Sequence, residues 1–459
     1  MEQPQVRNIG WRVTMAGLGI NLALGVLYAW SIISAAVPEA WKWDDKQKGL
    51  PYALACLVFA LTMVPAGRAQ DRFGPRWVAL AGGLTVGLGM VIASLSTSIW
   101  VVSLGFGVLV GAGIGMGYAA ATPAAVKWFP PKRTGMIAGL VVAGFGLASV
   151  YIAPLAEALI GAFSKGAGDA IDKGPGVQMT FLILGLAFVV IVGILSQLLS
   201  VPPPGWKPAA PAATPGAAAA PAKASVDFAW TAMLRTPQFY VTWLMYAFAA
   251  GAGLMIIGKM KPIVQLQADP KAGFIFVALL AVGNAGGRVL AGMLSDRIGR
   301  KATLLIFYVF QAVLMFLLPH CRELWLFYFL PVLLGANYGA NLALFPALTK
   351  DYFGIKNFGV NYGWVFTAWG VGGLVLSQIA GAIYDSVKST NVAVLVAKGI
   401  TEAVAKKQAV GSYDTAYIIA GVCLLASAAL LLLLRPPASP KPREEKKEES
   451  ASAVAAATK

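Results

Sequence analysis

Long apolar runs separated by short polar segments make up most of the chain. A run of about 17–25 apolar residues is long enough to cross a bilayer as a helix. Twelve runs qualify: 11–37, 50–69, 77–97, 99–125, 135–160, 177–201, 237–258, 272–294, 302–319, 324–348, 359–384 and 414–434. The pattern predicts an all-α membrane protein with 12 transmembrane helices. It predicts no cleaved signal peptide, because the first run is too long for one.

The composition and charge agree with a membrane protein. Of the 459 residues, 58% are hydrophobic and only 12% are charged, whereas a soluble protein carries about twice that charged fraction. The net charge of +16 does not indicate a nucleic-acid partner, because the basic residues lie in short loops between the apolar runs. Their excess in alternate loops favours both termini in the cytoplasm. We expect a multi-pass protein of the plasma (inner) membrane, with the lipid bilayer as a partner.

A segment rich in proline and alanine divides the chain. Pro-Pro-Pro-Gly at 202–205 is followed by an Ala/Pro tract, a composition that forms a semi-extended linker and no core. We expect an N-terminal six-helix bundle over 1–201, a cytoplasmic linker over 202–236, a C-terminal six-helix bundle over 237–435 and a disordered cytoplasmic tail over 436–459.

The two halves of the chain repeat one another. Residues 67–76 match residues 292–301, and the glycines spaced along 111–146 recur along 335–370 at nearly the same offset. Six helices, a linker and six similar helices predict two pseudo-symmetric bundles in the same orientation, with a cavity between them near the membrane midplane.

Arg288 is the only Lys or Arg placed well inside a predicted span. Its guanidinium stays charged, and a charge inside the membrane is costly unless it faces a polar cavity and finds a partner. The residue one turn earlier on the same face is the neutral Asn284. We expect the partner to be an external carboxylate, which the planar guanidinium binds through two hydrogen bonds. The alternative is an arginine held in a structural hydrogen-bond network.

The repeated loop carries a family resemblance. Gly-x-x-x-Asp-Arg-x-Gly-Arg-Lys at 292–301, with a degraded copy at 67–76, resembles the signature of the major facilitator superfamily. The resemblance implies that superfamily's fold and a secondary transporter that works by alternating access. Physically, the glycines allow close approach and a tight turn, and the aspartate accepts from nearby helix N-termini. The resemblance implies a gating role for Gly67, Asp71, Arg72, Arg76, Gly292, Asp296, Arg297, Gly299 and Arg300.

Two neighbouring families stand out within the superfamily. Residues 24–31 and 361–370 resemble the oxalate/formate antiporters, and residues 128–144 resemble the monocarboxylate transporters; an arginine in the eighth helix belongs to both. Oxalate exchangers pair that arginine with a lysine in the eleventh helix, where Trp369 stands here. A single cation suits a single carboxylate, because the second charge of a dianion would be poorly compensated. Animal monocarboxylate transporters carry an aspartate where Asn284 stands, so their proton mechanism does not transfer directly.

Aromatic residues complete the predicted substrate site. Tyrosines in the first, fourth, tenth and eleventh helices, which line the cavity in this fold, offer a flat apolar wall and one hydroxyl each. Phe145 and Trp369 occupy equivalent repeat positions and suit an apolar floor or ceiling. Each of these aromatic residues has packing as its alternative role. The predicted substrate-binding residues are Arg288, Asn284, Tyr28, Tyr118, Tyr338, Tyr362, Phe145 and Trp369.

These residues predict proton-linked transport of a monocarboxylate such as lactate or pyruvate, with carboxylate exchange as the alternative. Glu157, near the end of the fifth helix, is the one carboxylate placed inside a predicted span and is the candidate for proton coupling. One histidine and three scattered cysteines supply no nucleophile–base set and no metal spacing. We therefore expect no enzyme activity, no metal, no cofactor and no nucleic acid, and a monomeric transport unit.

Overall fold

The computed structural model describes residues 8–130, 134–166, 171–203, 206, 227–354 and 357–437. Twelve described segments are long and apolar enough to cross a membrane, and we number them α1 to α12. Their bounds are α1 Gly10–Ala36, α2 Asp45–Gln70, α3 Pro75–Ser94, α4 Ile99–Val126, α5 Met136–Phe163, α6 Gly174–Ser196, α7 Pro237–Gln267, α8 Ile275–Ile298, α9 Arg300–His320, α10 Leu324–Phe353, α11 Phe358–Ala397 and α12 Asp414–Leu433. The predicted all-α fold with 12 transmembrane helices is confirmed.

The outward faces of the helices are apolar. Large side chains such as Trp77, Leu88, Trp100, Ile194 and Leu433 are exposed on the protein surface. Apolar surface on this scale is unfavourable in water. An apolar surface is expected for helices surrounded by lipid. Such helices satisfy their own backbone hydrogen bonds, so that only their side chains contact the hydrocarbon.

Two glycines end corresponding helices of the two halves in the same way. Gly74 follows α2 with φ 86° and ψ 156°, and Gly299 follows α8 with φ 88° and ψ 158°. A positive φ is costly for a residue with a Cβ atom, so glycine is the residue that can turn the chain directly into the next helix. The matching geometry is a structural counterpart of the sequence repeat.

The two halves meet along two helix pairs. α2 packs along α11, and α5 packs along α8, so that each half contributes one helix to each contact. The first helix is interrupted by a 3₁₀ segment, Gly25–Ala29. There, a Cβ atom on Gly25 would lie 2.2 Å from the Cβ atom of Ala148. This close approach to α5 positions Tyr28 at the interface between the halves.

The seventh helix departs from the prediction. The apolar run was expected to end at residue 258, because two lysines follow, but α7 continues to Gln267 and buries both Lys259 and Lys261. The expectation that Arg288 is the only Lys or Arg well inside a span is therefore wrong. The lysines stay inside the helix because each meets a carboxylate from the other half.

Some predictions fall on residues outside the described part of the chain. Of the linker expected over 202–236, residues 204–205 and 207–226 lie outside it, and the tail expected over 436–459 lies outside it from residue 438 onward. The side chain of Asp71 is also not described. The proposed domain boundaries therefore remain predictions.

Candidate functional site

The candidate site lies at the centre of the interface between the two halves. Its lining is mostly aromatic, with one charged group, and in this conformation the walls leave no space for a water molecule. The lining residues are Tyr28, Phe59, Tyr118, Phe145, Arg288, Leu342, Phe366 and Trp369. Five of them, Tyr28, Tyr118, Phe145, Arg288 and Trp369, are residues that the sequence predicted.

Arg288 extends from α8 toward α5 of the other half and is 7% exposed. Its Nε donates to Asn284 Oδ1 at 3.2 Å, and its Nη1 donates to the backbone oxygen of Val142 at 2.8 Å. Gly146 leaves room for the guanidinium, because a Cβ atom there would lie 3.2 Å from Nη2. The charge is thus held between two helices by neutral acceptors, with no carboxylate among its described hydrogen-bond partners.

Two buried donors at this site have no acceptor among the described residues. They are Nη2 of Arg288 and Nδ2 of Asn284, and the two side chains are joined through Asn284 Oδ1. Buried polar groups in proteins are nearly always paired, and an unpaired one carries its full desolvation cost. The two joined side chains therefore keep two donors for an external acceptor, which can enter only when the walls of the centre move apart.

The aromatic walls are tied together across the interface. The hydroxyl groups of Tyr28 and Tyr338 are 2.7 Å apart, and Trp369 Nε1 donates to the Tyr338 hydroxyl at 2.8 Å. Phe145 meets Tyr28 edge to face, with ring centroids 4.9 Å apart. Hydrogen bonds and edge-to-face contacts fix the ring orientations. The closed centre is therefore an ordered arrangement that joins α1 to α10.

The other predicted site residues lie around this lining. Asn284 contacts Arg288, and Tyr338 lies behind Tyr28 and Trp369. Tyr362 does not line the central space; its ring packs against Phe366, with centroids 5.6 Å apart. Leu342, Phe59 and Phe366 line the space but were not predicted. Leu342 follows Tyr338 by one helical turn, and this spacing was a signal that could have found it.

Ion pairs join the two halves at the distal end of the protein, which we define as the end opposite the start of α1 and the end of α12. Lys259 Nζ lies 2.7 Å from Asp45 Oδ2, and Lys261 Nζ lies 2.5 Å from Glu157 Oε1. Each pair links α7 to a helix of the other half. Asp385 of α11 adds two bonds, since its carboxylate accepts from the backbone N–H groups of Asp45 and Lys46 at 2.9 Å each. The distal ends of the two halves are thus closed on one another.

The repeated loops lie at the opposite end of the protein, where α1 begins and α12 ends. In the second copy, Arg300 donates to Asp296 Oδ1 at 2.7 Å, to Ser295 Oγ and to Asp351 Oδ2 at 3.4 Å. These contacts join α8, α9 and α10 of one half. Arg72, Arg76 and Arg297 are exposed.

The glycines of these loops divide by role. Gly74 and Gly299 make the predicted tight turns. The close helix approach expected at Gly67 is wrong for this conformation, because a Cβ atom built there meets nothing within 4 Å, and the same holds at Gly292. The gating role of the loop remains a prediction.

Comparison with known proteins agrees with this architecture. The family model for the Major Facilitator Superfamily matches residues 13–377 and, in a second match, residues 265–458. A solved bacterial homolog of the human lysosomal transporter Spinster, in an inward-facing and unoccupied conformation, has a TM-score of 0.62 and 18% identity, with 94% of this chain and 96% of that chain covered. At this identity the likeness shows the fold.

Curated relatives are similar over most of their length. The chain is 27% identical to the uncharacterized MFS-type transporter YhjX of Escherichia coli (strain K12), over 79% of this chain and 86% of the relative. It is 27% identical to the oxalate:formate antiporter of Oxalobacter formigenes, over 78% and 80%. It is 25% identical to the apicoplast pyruvate carrier 1 of Toxoplasma gondii, over 72% and 68%. These relatives are named as transporters and not as enzymes.

Proposed function

Since the chain belongs to the Major Facilitator Superfamily, a family of transporters, we propose that it moves a small monocarboxylate, such as lactate or pyruvate, together with a proton by alternating access. Arg288 binds the carboxylate, Asn284 orients it, and the aromatic walls enclose its carbon atoms. The transport unit is a monomer in the plasma membrane, with both termini in the cytoplasm. The distal end then faces outward.

The observation that carries this proposal is the pair of unsatisfied donors at the centre. Arg288 Nη2 and Asn284 Nδ2 are buried and have no acceptor among the residues that the structure describes, and a carboxylate supplies two acceptor oxygens with one negative charge. Charge-assisted bonds to a guanidinium are the strong class of hydrogen bond. Two of the curated relatives, named for oxalate and formate and for pyruvate, point to the same class of substrate.

The charge balance of the site favours one carboxylate over two. Arg288 is the single charged group among the residues that line the centre. Trp369 also lines the centre, and its indole N–H already donates to the Tyr338 hydroxyl. A second carboxylate would meet aromatic carbon and no cation, which leaves a buried charge uncompensated.

The contacts of the empty site favour net transport over obligatory exchange. Without a substrate, Arg288 still has the oxygens of Val142 and Asn284 as acceptors. These neutral acceptors lower the cost of closing the protein around an empty site, although Nη2 stays unsatisfied. The empty carrier can therefore return, and Glu157 accepts the accompanying proton.

A carboxylate exchanger is the second candidate. The relative that is named as an oxalate:formate antiporter supports it, and so does the unsatisfied Nη2, because any residual cost of the empty site slows its return. In an exchanger the substrate on the opposite side carries the return step, and no proton is needed.

Uptake of radiolabelled L-lactate into proteoliposomes tests both candidates. We expect accumulation driven by an inward proton gradient into empty vesicles and no accumulation at equal pH. Uptake that occurs only when the lumen holds a carboxylate supports exchange and overturns proton coupling. Failure with lactate and pyruvate, together with uptake of oxalate, overturns the monocarboxylate assignment.

A further inference from the structure

The two ion pairs at the distal end differ in their contact with water. In the Lys259–Asp45 pair the side chains are 4% and 13% exposed, whereas in the Lys261–Glu157 pair they are 11% and 35% exposed. The first pair also has additional partners, because Lys259 donates to the backbone oxygen of Asp45 and Tyr413 donates to its carboxylate. The Lys259–Asp45 pair is therefore shielded from water and held by further hydrogen bonds, whereas the Lys261–Glu157 pair is partly exposed to solvent.

Glu157 is the residue through which α5 holds two segments of the other half. Its Oε1 accepts from Lys261 of α7 at 2.5 Å, and its Oε2 accepts from the backbone N–H of Phe274, directly before α8, at 3.0 Å. Both bonds use the charged carboxylate as acceptor. A proton on Glu157 weakens both bonds, since a neutral carboxyl group no longer attracts the lysine and one oxygen becomes a donor.

A cavity of about 270 Å³ lies against this pair. Among the described residues, three charged groups line it: Glu157 of α5, Lys173 next to α6 and Lys261 of α7. Gln265 of α7 adds a polar side chain. α1 contributes only apolar residues, including Ala36. The volume far exceeds what one water needs, and the Glu157 side chain is 35% exposed, so the ion pair is in contact with solvent in this conformation.

We propose that Glu157 and Lys261 form an outer latch that is also the first binding site for the two parts of the substrate acid. A solvent proton binds the Glu157 carboxylate, and the carboxylate of the incoming anion takes the place of Glu157 beside the Lys261 ammonium group. The exchange conserves charge, because one proton and one anion enter together. The bond to Phe274 is lost in the same step, and the distal ends of α5, α7 and α8 separate.

The latch accounts for coupling without a proton carrier at the centre. Either component alone leaves one charge of the pair unmatched in a partly buried place, which is unfavourable. Both together leave none. The inference rests on the proposed function for the identity of the anion, whereas the proton response of Glu157 does not depend on which substrate is carried.

Cysteine labelling of the full-length purified chain tests the latch. Cys56, Cys321 and Cys423 are replaced by serine, and Ala36→Cys reports on opening because Ala36 lines the cavity and is 7% exposed. The rate of modification by a methanethiosulfonate reagent is normalised to that of Ser389→Cys, an exposed position near the end of α11.

We expect the normalised rate to rise about twofold or more between pH 7.5 and pH 4.5, because an ordinary glutamate carboxyl group is roughly half protonated near the lower value and the bound proton favours the open state. In Glu157→Gln the rate is high at both pH values and the ratio falls to near one. The double variant E157K/K261E rebuilds the pair with reversed charges and restores slow labelling at pH 7.5. A wild-type pH ratio in Glu157→Gln overturns the proton half of the proposal.

The anion half is tested in the Arg288→Gln background, where the central site is disabled. Sodium lactate at pH 6.5 still accelerates labelling relative to equal sodium chloride, and Lys261→Gln removes this acceleration. Loss of the acceleration in Arg288→Gln alone overturns the outer subsite, because the anion then acts only at the centre.

Lys259→Gln is the matched control: it speeds labelling at every pH but keeps the pH ratio. If no monocarboxylate is transported while the pH response persists through Glu157, the proposed function fails and the latch stands.

Discussion

Three buried cations, Lys259, Lys261 and Arg288, fall into two groups that differ in their hydrogen-bond partners. At the distal end, Lys259 and Lys261 each meet a carboxylate of the opposite half. At the centre, the hydrogen-bond partners of Arg288 in the described part of the chain are neutral oxygens, and one of its nitrogens has no acceptor there. A cation with its own carboxylate can hold two parts of a protein together, and an anion must displace that carboxylate to bind it, whereas a buried cation with neutral partners has no internal anion to displace. The difference is the reason that we propose Arg288 as the central substrate site and the lysine pairs as contacts that close the distal end.

Removing the central cation gives the largest expected effect. In Arg288→Gln the side chain keeps an amide donor group but loses the charge and the planar guanidinium, and the loss of a buried charged hydrogen-bonding partner costs about 2–5 kcal/mol. We expect kcat/KM for L-lactate uptake to fall by roughly a hundredfold or more. Proteoliposome uptake at matched protein density measures it.

Arg322→Gln is the control for this variant. Arg322 is half exposed and lies 3.8 Å from Asp414 at the surface, where ion pairs contribute little. Its uptake should match that of the wild type. If Arg288→Gln also retains wild-type uptake, the central cation does not bind the substrate.

Giving the central cation a carboxylate of its own makes it resemble the distal lysines. In Asn284→Asp the new carboxylate lies where Oδ1 already accepts from Arg288 at 3.2 Å, and it competes with the substrate. We expect uptake at pH 7.5 to fall by about tenfold or more, since a charged pair outcompetes a neutral acceptor. Acidification restores it, because protonation of the aspartate releases the guanidinium.

The control is Asn284→Ala, which removes one neutral hydrogen bond worth about 0.5–1.5 kcal/mol. It lowers uptake less than the aspartate does at pH 7.5 and adds no steeper pH dependence. An aspartate variant whose uptake is unchanged at pH 7.5 would contradict the view that Arg288 must be free of an internal anion.

A methyl group beside Arg288 gives the smallest effect. In Gly146→Ala the added Cβ lies 3.2 Å from Nη2 and 3.3 Å from Cζ, so the guanidinium must shift. Such overpacking costs about 1–3 kcal/mol, and we expect KM for lactate to rise by roughly tenfold. Gly139→Ala, on the same helix with nothing within 4 Å of the new atom, should leave KM unchanged. Equal KM values for the two variants would show that the position of the Arg288 guanidinium does not affect lactate binding.

The fold was predictable because it depends on a local property. Twelve apolar runs of spanning length give twelve helices whatever their partners are. The end of α7 was not predictable from the run alone, because Lys259 and Lys261 look like the start of a loop. Their partners, Asp45 and Glu157, are far away in the sequence, and only tertiary packing brings them together.

The candidate site was predictable in part for the same reason. Arg288 is conspicuous as a charge within an apolar run, and the tyrosines are conspicuous as polar aromatics in helices that face the interface. Phe59 and Phe366 are ordinary apolar residues within spans, and only the structure distinguishes those that face the centre from those that face lipid. Tyr362 packs against Phe366, one layer away from the central space in this conformation, and its role in substrate binding stays a prediction.

Equilibrium binding of L-lactate to the purified protein, measured by isothermal titration calorimetry in the wild type and in Arg288→Gln, tests the central claim most directly because it needs no transport step. The account predicts saturable binding to the wild type and a loss of affinity of roughly a hundredfold or more in the variant. Equal affinity for lactate in the two proteins would contradict it.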